Sequence, residues 1–376
     1  RVTTRLVRVR DGTTMWTGQF DEQMTHLFAV QDGLAAQVAQ ALSLPLTGEE
    51  QQTLTRHHTK NTEAYQLYVK GFYFAERQTA ENLRHSLTFF QQALKLDPNY
   101  ARAYAKMAGV YISLGAMGEL PPREAMSLAR PAAVKALQLD ETLAEGHAIM
   151  ASLKLHYDWD WAGTEREYQR SLQLSPGAVS AGYGNYLCVM GRFDEALAAV
   201  KKAQELNPLS PRINLVISYI YYLSRQYDQA IEQSRLLLTM EPNMGLAYGL
   251  LGKALVQKGN YPEAISAFQQ AHSLLGGGVE VLDDLAFAYA VAGQAGEARK
   301  LLAKFQQLDR KKYGSLYNIA RVYVALGEKQ QAFQWLERAY EERAVELIYL
   351  NVEPQFDSVR SDPRFQHFLR RLNLAS

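Results

Sequence analysis

Of the residues with reactive or ligand-binding side chains, the densest local group is His156-Tyr157-Asp158-Trp159-Asp160-Trp161. Indole faces bind apolar surfaces and flanking carboxylates accept hydrogen bonds, so the run has the makings of a sugar or peptide platform. A structural role is the simpler expectation: Asp160 caps a following helix and Trp161 packs on it. The other groups carry less. Eight histidines are scattered without the His-Glu-x-x-His spacing of a zinc site, and His57-His58 are adjacent, so they point apart. Cys188 is the single cysteine, which excludes an internal disulfide and reads as a small buried filler. Gly276-Gly277-Gly278 lacks the Lys-Ser/Thr that completes a phosphate loop. No nucleophile elbow, kinase set or Cys-x-x-Cys occurs. The expectation is a chain that is not an enzyme and carries no cofactor or metal.

Composition narrows the partners. Forty basic residues stand against 39 acidic ones in a chain of 376. Near neutrality argues against a nucleic-acid surface or a polybasic membrane patch. The longest apolar run, residues 213–223, is too short for direct membrane insertion. The chain starts at Arg1 rather than methionine, which reads as a piece of a longer protein.

The elements that must position any site follow from a fixed period. Ala196, Ala230, Ala264, Ala298 and Ala332 recur every 34 residues. Five residues before them stand Gly191, Arg225, Gly259, Gly293 and Gly327, the place for a left-handed helix C-terminal turn. A second small series, Ala108, Ser152, Gly184, Ser218, Gly252, Ala286 and Ala320, precedes the first, which extends back through Thr164, Ala129 and Ser86. Small residues at both series let two helices cross closely in every copy.

This spacing and these residues resemble the tetratricopeptide repeat, a helix-turn-helix unit. The resemblance implies an all-α fold, an α-solenoid of about eight units over residues 62–340, followed by a C-terminal capping segment and helix over residues 341–376. Within that last segment, Asp362 or Ser361 caps a helix that opens with Pro363 and turns its arginines outward. Tetratricopeptide proteins line their concave groove mainly with the first helix of each unit. Carried onto this register, that face is Asn185, Arg212, Tyr219, Tyr222, Lys253, Gln257, Glu280, Asp283, Tyr317 and Arg321. The implied work is binding a protein or peptide ligand there. A homo-oligomer formed through the outer face and a small-molecule site, under the Gly118–Pro122 loop or beside Trp159 and Trp161, remain open.

The start of the chain differs. Alternating residues on either side of Asp11-Gly12 predict a β-hairpin, and Leu27, Val30, Leu34, Val38 and Leu42 predict a helix from Met24 to Leu44. With Trp16, Phe20 and Leu27-Phe28-Ala29-Val30, residues 1–45 resemble the end of a TolB amino-terminal-like domain, a truncated α/β remnant, and residues 46–61 form a linker. That resemblance implies a bacterial regulator whose effector (winged helix, kinase or nucleotide cyclase) lies upstream, with the repeats cytoplasmic or extracytoplasmic.

Overall fold

The computed structural model describes residues 2–8, 12–20, 34, 36–42, 58–175, 181–206, 208–275, 281–309 and 316–374. The chain divides into two units, Arg1–Met107 and Ala108–Ser376.

In the first unit, β1 (Val2–Val7) pairs antiparallel with β2 (Thr14–Phe20), Val2 opposite Phe20 and Leu6 opposite Trp16. Gly12 takes a positive φ of 68° in the turn. Residues 36–41 are helical; the rest of the helix expected from Met24 lies largely outside the described residues. The first repeat pairs α1 (Thr62–Ala75) with α2 (Ala80–Leu96). Asn61 caps α1 by accepting from the Ala64 amide at 3.0 Å, and Thr79 caps α2. The link between them, residues 76–79, is one residue longer than the links of the central repeats at 224–226 and 258–260. Gly71 lets the helices touch: a Cβ there would lie 2.7 Å from Phe90.

Helix α3 (Ala101–Ala116) spans the division. The second unit continues with α4 (Pro122–Leu139), α5 (Ala144–Leu153), α6 (Trp161–Leu174), α7 (Ala181–Val189) and α8 (Phe193–Leu206). Then come α9 (Pro211–Leu223), α10 (Tyr227–Met240), α11 (Gly245–Gln257), α12 (Tyr261–Leu274), α13 (Leu282–Val291), α14 (Ala295–Asp309), α15 (Leu316–Ala325) and α16 (Lys329–Glu341). This is a tetratricopeptide-type α-solenoid. Ala196, Ala230, Ala264, Ala298 and Ala332 are all 0% exposed, because each sits where its helix meets the preceding one. The residues five places earlier all take the left-handed conformation, from Arg225 at φ 64° to Gly259 at φ 78°. The amide after each reaches back to end the first helix, as Arg192 does to the Leu187 carbonyl at 2.8 Å.

The third repeat departs from the period through its backbone. After α5 the backbone widens into a π-turn, Lys154–Asp158, which inserts an extra residue. The small position therefore moves: Ala151 is fully buried, while Ser152, expected at the crossing, is only half-buried. Trp159 then occupies the left-handed place that Gly191, Arg225, Gly259, Gly293 and Gly327 fill in later copies, at φ 55°.

After α16 the chain forms two 3₁₀ turns, Val345–Tyr349 and Pro354–Val359, and α17 (Pro363–Arg371). Asp362 caps α17 at the Arg364 amide, 3.0 Å away. Phe365, Phe368, Leu369 and Leu372 are buried, and Arg371 forms a two-bond pair with Glu337 at 2.7 Å rather than standing free. These residues belong to the same apolar core as Ala151, Trp161, Ile217 and Tyr222. The segment expected as an end cap thus also reaches inward, against the early repeats of its unit.

Enlarging one crossing residue tests the packing. Ala264→Leu should destabilise the chain by roughly 1–3 kcal/mol, since the site is closed on all sides. A lowered midpoint in urea, with helical circular dichroism retained in native buffer, is the expected result.

Candidate protein-binding groove

The first helices of successive repeats, α7, α9, α11, α13 and α15, form one wall, and residues 343–374, here called the tail, lie against it. Asn185 on α7 accepts from the Tyr349 hydroxyl at 2.6 Å. Tyr219 on α9 meets the Tyr349 ring edge-on, with centroids 6.0 Å apart, and stacks on Tyr222 at 6.2 Å. The Tyr222 hydroxyl donates to Glu353. Tyr317 on α15 packs on Phe356 at 5.2 Å. Arg321 donates to the Gln355 side-chain oxygen at 2.6 Å, to Asn318 at 2.8 Å, to Asp284 at 3.2 Å and to Asp283. Lys253 on α11 pairs with the other Asp284 oxygen at 3.2 Å.

The sequence-derived groove residues are therefore brought together, but mostly around the chain's own tail. Tyr222, Asp283, Tyr317 and Arg321 are buried, which corrects the picture of them as a surface awaiting a ligand. Arg212 is exposed, and Tyr219, Lys253 and Gln257 are half-buried. Glu280 lies outside the described residues. What sequence reasoning missed is the tail itself: Tyr349, Glu353, Gln355, Phe356 and Asp357. Their apolar and acidic run was visible, yet nothing in a single sequence says that a segment beyond the repeats folds back on them.

Burial shapes the electrostatics. The Asp283 carboxyl is pushed up to about 6, first by burial and then by the adjacent Asp284 charge, against the pull of Arg321 and Lys253. Burial also pushes the Cys188 thiol up to about 12, so it is an inert filler rather than a nucleophile. His156 is lowered to about 4 by burial and stays neutral. Among the described residues no cluster of three metal-ligating side chains exists, and no helix is long and apolar enough to cross a membrane.

Trp159, Arg225 and Arg343, none of them glycine, adopt the left-handed conformation and take part in contacts between the tail and the repeats. Trp159 lies under the Arg343 guanidinium, 4.2 Å from its ring, and 5.0 Å from Tyr340. Arg343, at φ 58°, also donates to the Tyr157 carbonyl at 2.8 Å. Arg225 holds Asp357 with two bonds of 2.8 and 3.2 Å. Each backbone carries a strain of about 1 kcal/mol relative to glycine. Glycine would remove the strain and the grip together. Trp161 completes the seam by donating to the Leu372 carbonyl at 2.9 Å. The two tryptophans, 4% and 8% exposed, are thus structural and not an open platform.

A sequence profile described as tetratricopeptide repeat matches residues 184–243 and 224–273, and a second so described matches residues 313–345. The chain contains tetratricopeptide repeats, a fold that is generally a non-catalytic scaffold for protein partners. Particular relatives are more distant. The transcriptional regulator HilA of Salmonella typhimurium is 25% identical over 44% of this chain and 30% of its own length. Putative adenylate cyclase 3 of Rhizobium meliloti is 25% identical over 38% of this chain and 25% of its own. The chain spans less than a third of either protein. A structure of the human IFIT1 dimer with PPP-AAAA superposes with a TM-score of 0.53 at 16% identity, covering 85% of this chain and 80% of that one, a likeness of fold.

Two measurements check the buried network. Tyr222→Phe removes the hydroxyl donor to Glu353, leaving the longer bond from the Gln355 amide at 3.4 Å, and should cost roughly 1–3 kcal/mol in urea unfolding. Asp283 binds its proton more tightly folded, at about 6, than at its ordinary 3.8, so its contribution to stability falls as pH rises between those values. The stability of wild type minus that of Asp283→Asn should therefore decrease from pH 4 to pH 6 and then level off.

Proposed function

We propose that this chain is the non-catalytic scaffold or sensor part of a bacterial regulator, and that it binds a protein partner on the stretch of concave wall its tail leaves open. The observation that carries this is the state of the predicted groove. The tail closes over Asn185, Tyr222, Tyr317 and Arg321, while Arg212 stays exposed on the same face of α9 as Leu215, Val216 and Tyr219. An arginine beside apolar surface is a common anchor at protein interfaces. The resemblance of residues 1–45 to a TolB amino-terminal-like domain, and the likeness to a transcriptional regulator and to a putative cyclase, support an upstream effector of one of those kinds. The repeats would then report partner binding to it.

A small-molecule reading keeps one observation in its favour. Arg123, Met126, Tyr157, Asp158 and Arg343 bound a cleft of about 410 Å³, beside both places the sequence suggested for such a site. Self-association through the outer face remains a third reading.

Affinity capture from a native bacterial extract, run beside Arg212→Glu, tests the first reading. A partner retained by wild type and lost at least tenfold by the variant, with unchanged melting temperature, is the expected result. Equal recovery by both removes Arg212 from the interface. A shift in wild-type melting temperature on metabolite screening, abolished by Arg123→Ala, would favour the cleft instead.

A further inference from the structure

Between α9 and α11 the wall of first helices holds a trough of about 320 Å³. Leu215, Val216 and Tyr219 form one side, Leu246 and Leu250 the other, and Leu275 closes an end around the bare backbone of Gly249. The glycine is informative. A Cβ at Gly245 would lie 2.7 Å from Leu275, and one at Gly252 2.8 Å from Phe268, so packing requires those glycines. At Gly249 a Cβ would meet nothing within 4 Å. Glycine weakens a helix interior, and here no neighbour and no special backbone angle asks for it. Its effect is to keep the trough deep. Counting by the 34-residue period, the same rung holds Leu215 one repeat earlier and Asp283 one repeat later, so Gly249 is the gap in a row of larger side chains.

Charge and continuity say what fits. Lys253 and Asp284 line the trough and pair with each other, and behind them Asp284 also holds the buried Arg321, itself paired with Asp283, so no net charge is offered to a ligand. The rim is apolar, with Leu246 55% exposed. Tyr219 is a shared wall: its other side meets Tyr349 of the tail, whose neighbours Leu347 and Ile348 are buried in the core. The tail already shows this face taking apolar side chains, and it also closes the groove at that point. A long peptide laid along the groove would run into it.

We propose that the trough over Gly249 is a single-anchor docking pocket that accepts one bulky aliphatic side chain from a partner protein. This rests on the partner-binding reading above and gives it a place and a chemistry.

The test uses a random twelve-residue peptide library displayed on phage, selected on the whole chain. Recovered peptides are then measured against Gly249→Leu, which fills the trough, Gly249→Ala, which stiffens the helix but fills little, and Arg212→Glu. Melting temperatures at or above wild type for both Gly249 variants, as the open space predicts, confirm that the fold is intact. The expected result is a shared Leu, Ile or Met in the selected peptides, with affinity at least tenfold weaker on Gly249→Leu and nearly unchanged on Gly249→Ala. Peptides that bind Gly249→Leu as well as wild type but fail on Arg212→Glu overturn the pocket and leave the partner-binding reading standing. No enrichment on the folded chain overturns both. Wild-type mass that rises with concentration, and does not in Gly249→Leu, assigns the trough to a second copy of the chain and overturns the proposal.

Discussion

The close crossing of two helices at small side chains is the constraint on which the rest of the second unit depends. Ala196, Ala230, Ala264, Ala298 and Ala332 stand at these crossings, all without exposed surface. Because the crossing point is fixed in each copy, the direction in which the next copy leaves is fixed too. Stacking then presents the first helices side by side as one wall, with the left-handed turn before each second helix holding the angle.

That wall is mostly occupied from within. The tail fills it with Tyr349, Glu353, Gln355 and Phe356, and its charged groups find partners, Tyr222 with Glu353 and Arg321 with Gln355 and two aspartates, while the Tyr317 hydroxyl, Arg321 Nε and Gln355 Nε2 are buried without one. Removing charge from water in this way is tolerated because the Arg321 guanidinium meets two carboxylates. Around Gly249 the wall is lined by leucines and valines, with its lysine matched by Asp284.

How much of this is legible in the sequence depends on its range. The crossings and turns are local and periodic, so composition at fixed intervals reveals them, including Arg225 at the one position where glycine is missing from the central copies. The Asp160 cap and the Asp362-Pro363 helix start are also readable, because each involves residues within three places. The π-turn is not, since an inserted residue only shows itself once Ala151 rather than Ser152 is buried. The placement of Tyr222, Asp283, Tyr317 and Arg321 on one face follows from the register. Their burial does not, because it is imposed by residues far along the chain, with Tyr222 and Glu353 separated by 131 positions.

Those separations have a consequence for synthesis. Trp161 bonds to a carbonyl 211 residues later, and Arg225 to a carboxylate 132 residues later. A nascent chain can stack its repeats one by one as they leave the ribosome, since each needs only its neighbour. Throughout that interval the wall stands with wet aromatics and unmatched charge, and it closes only when the tail has emerged. Assembly of the second unit is thus sequential for its repeats and all-or-none for its final step, a stage at which a ribosome-associated chaperone would meet an apolar surface that the finished chain conceals.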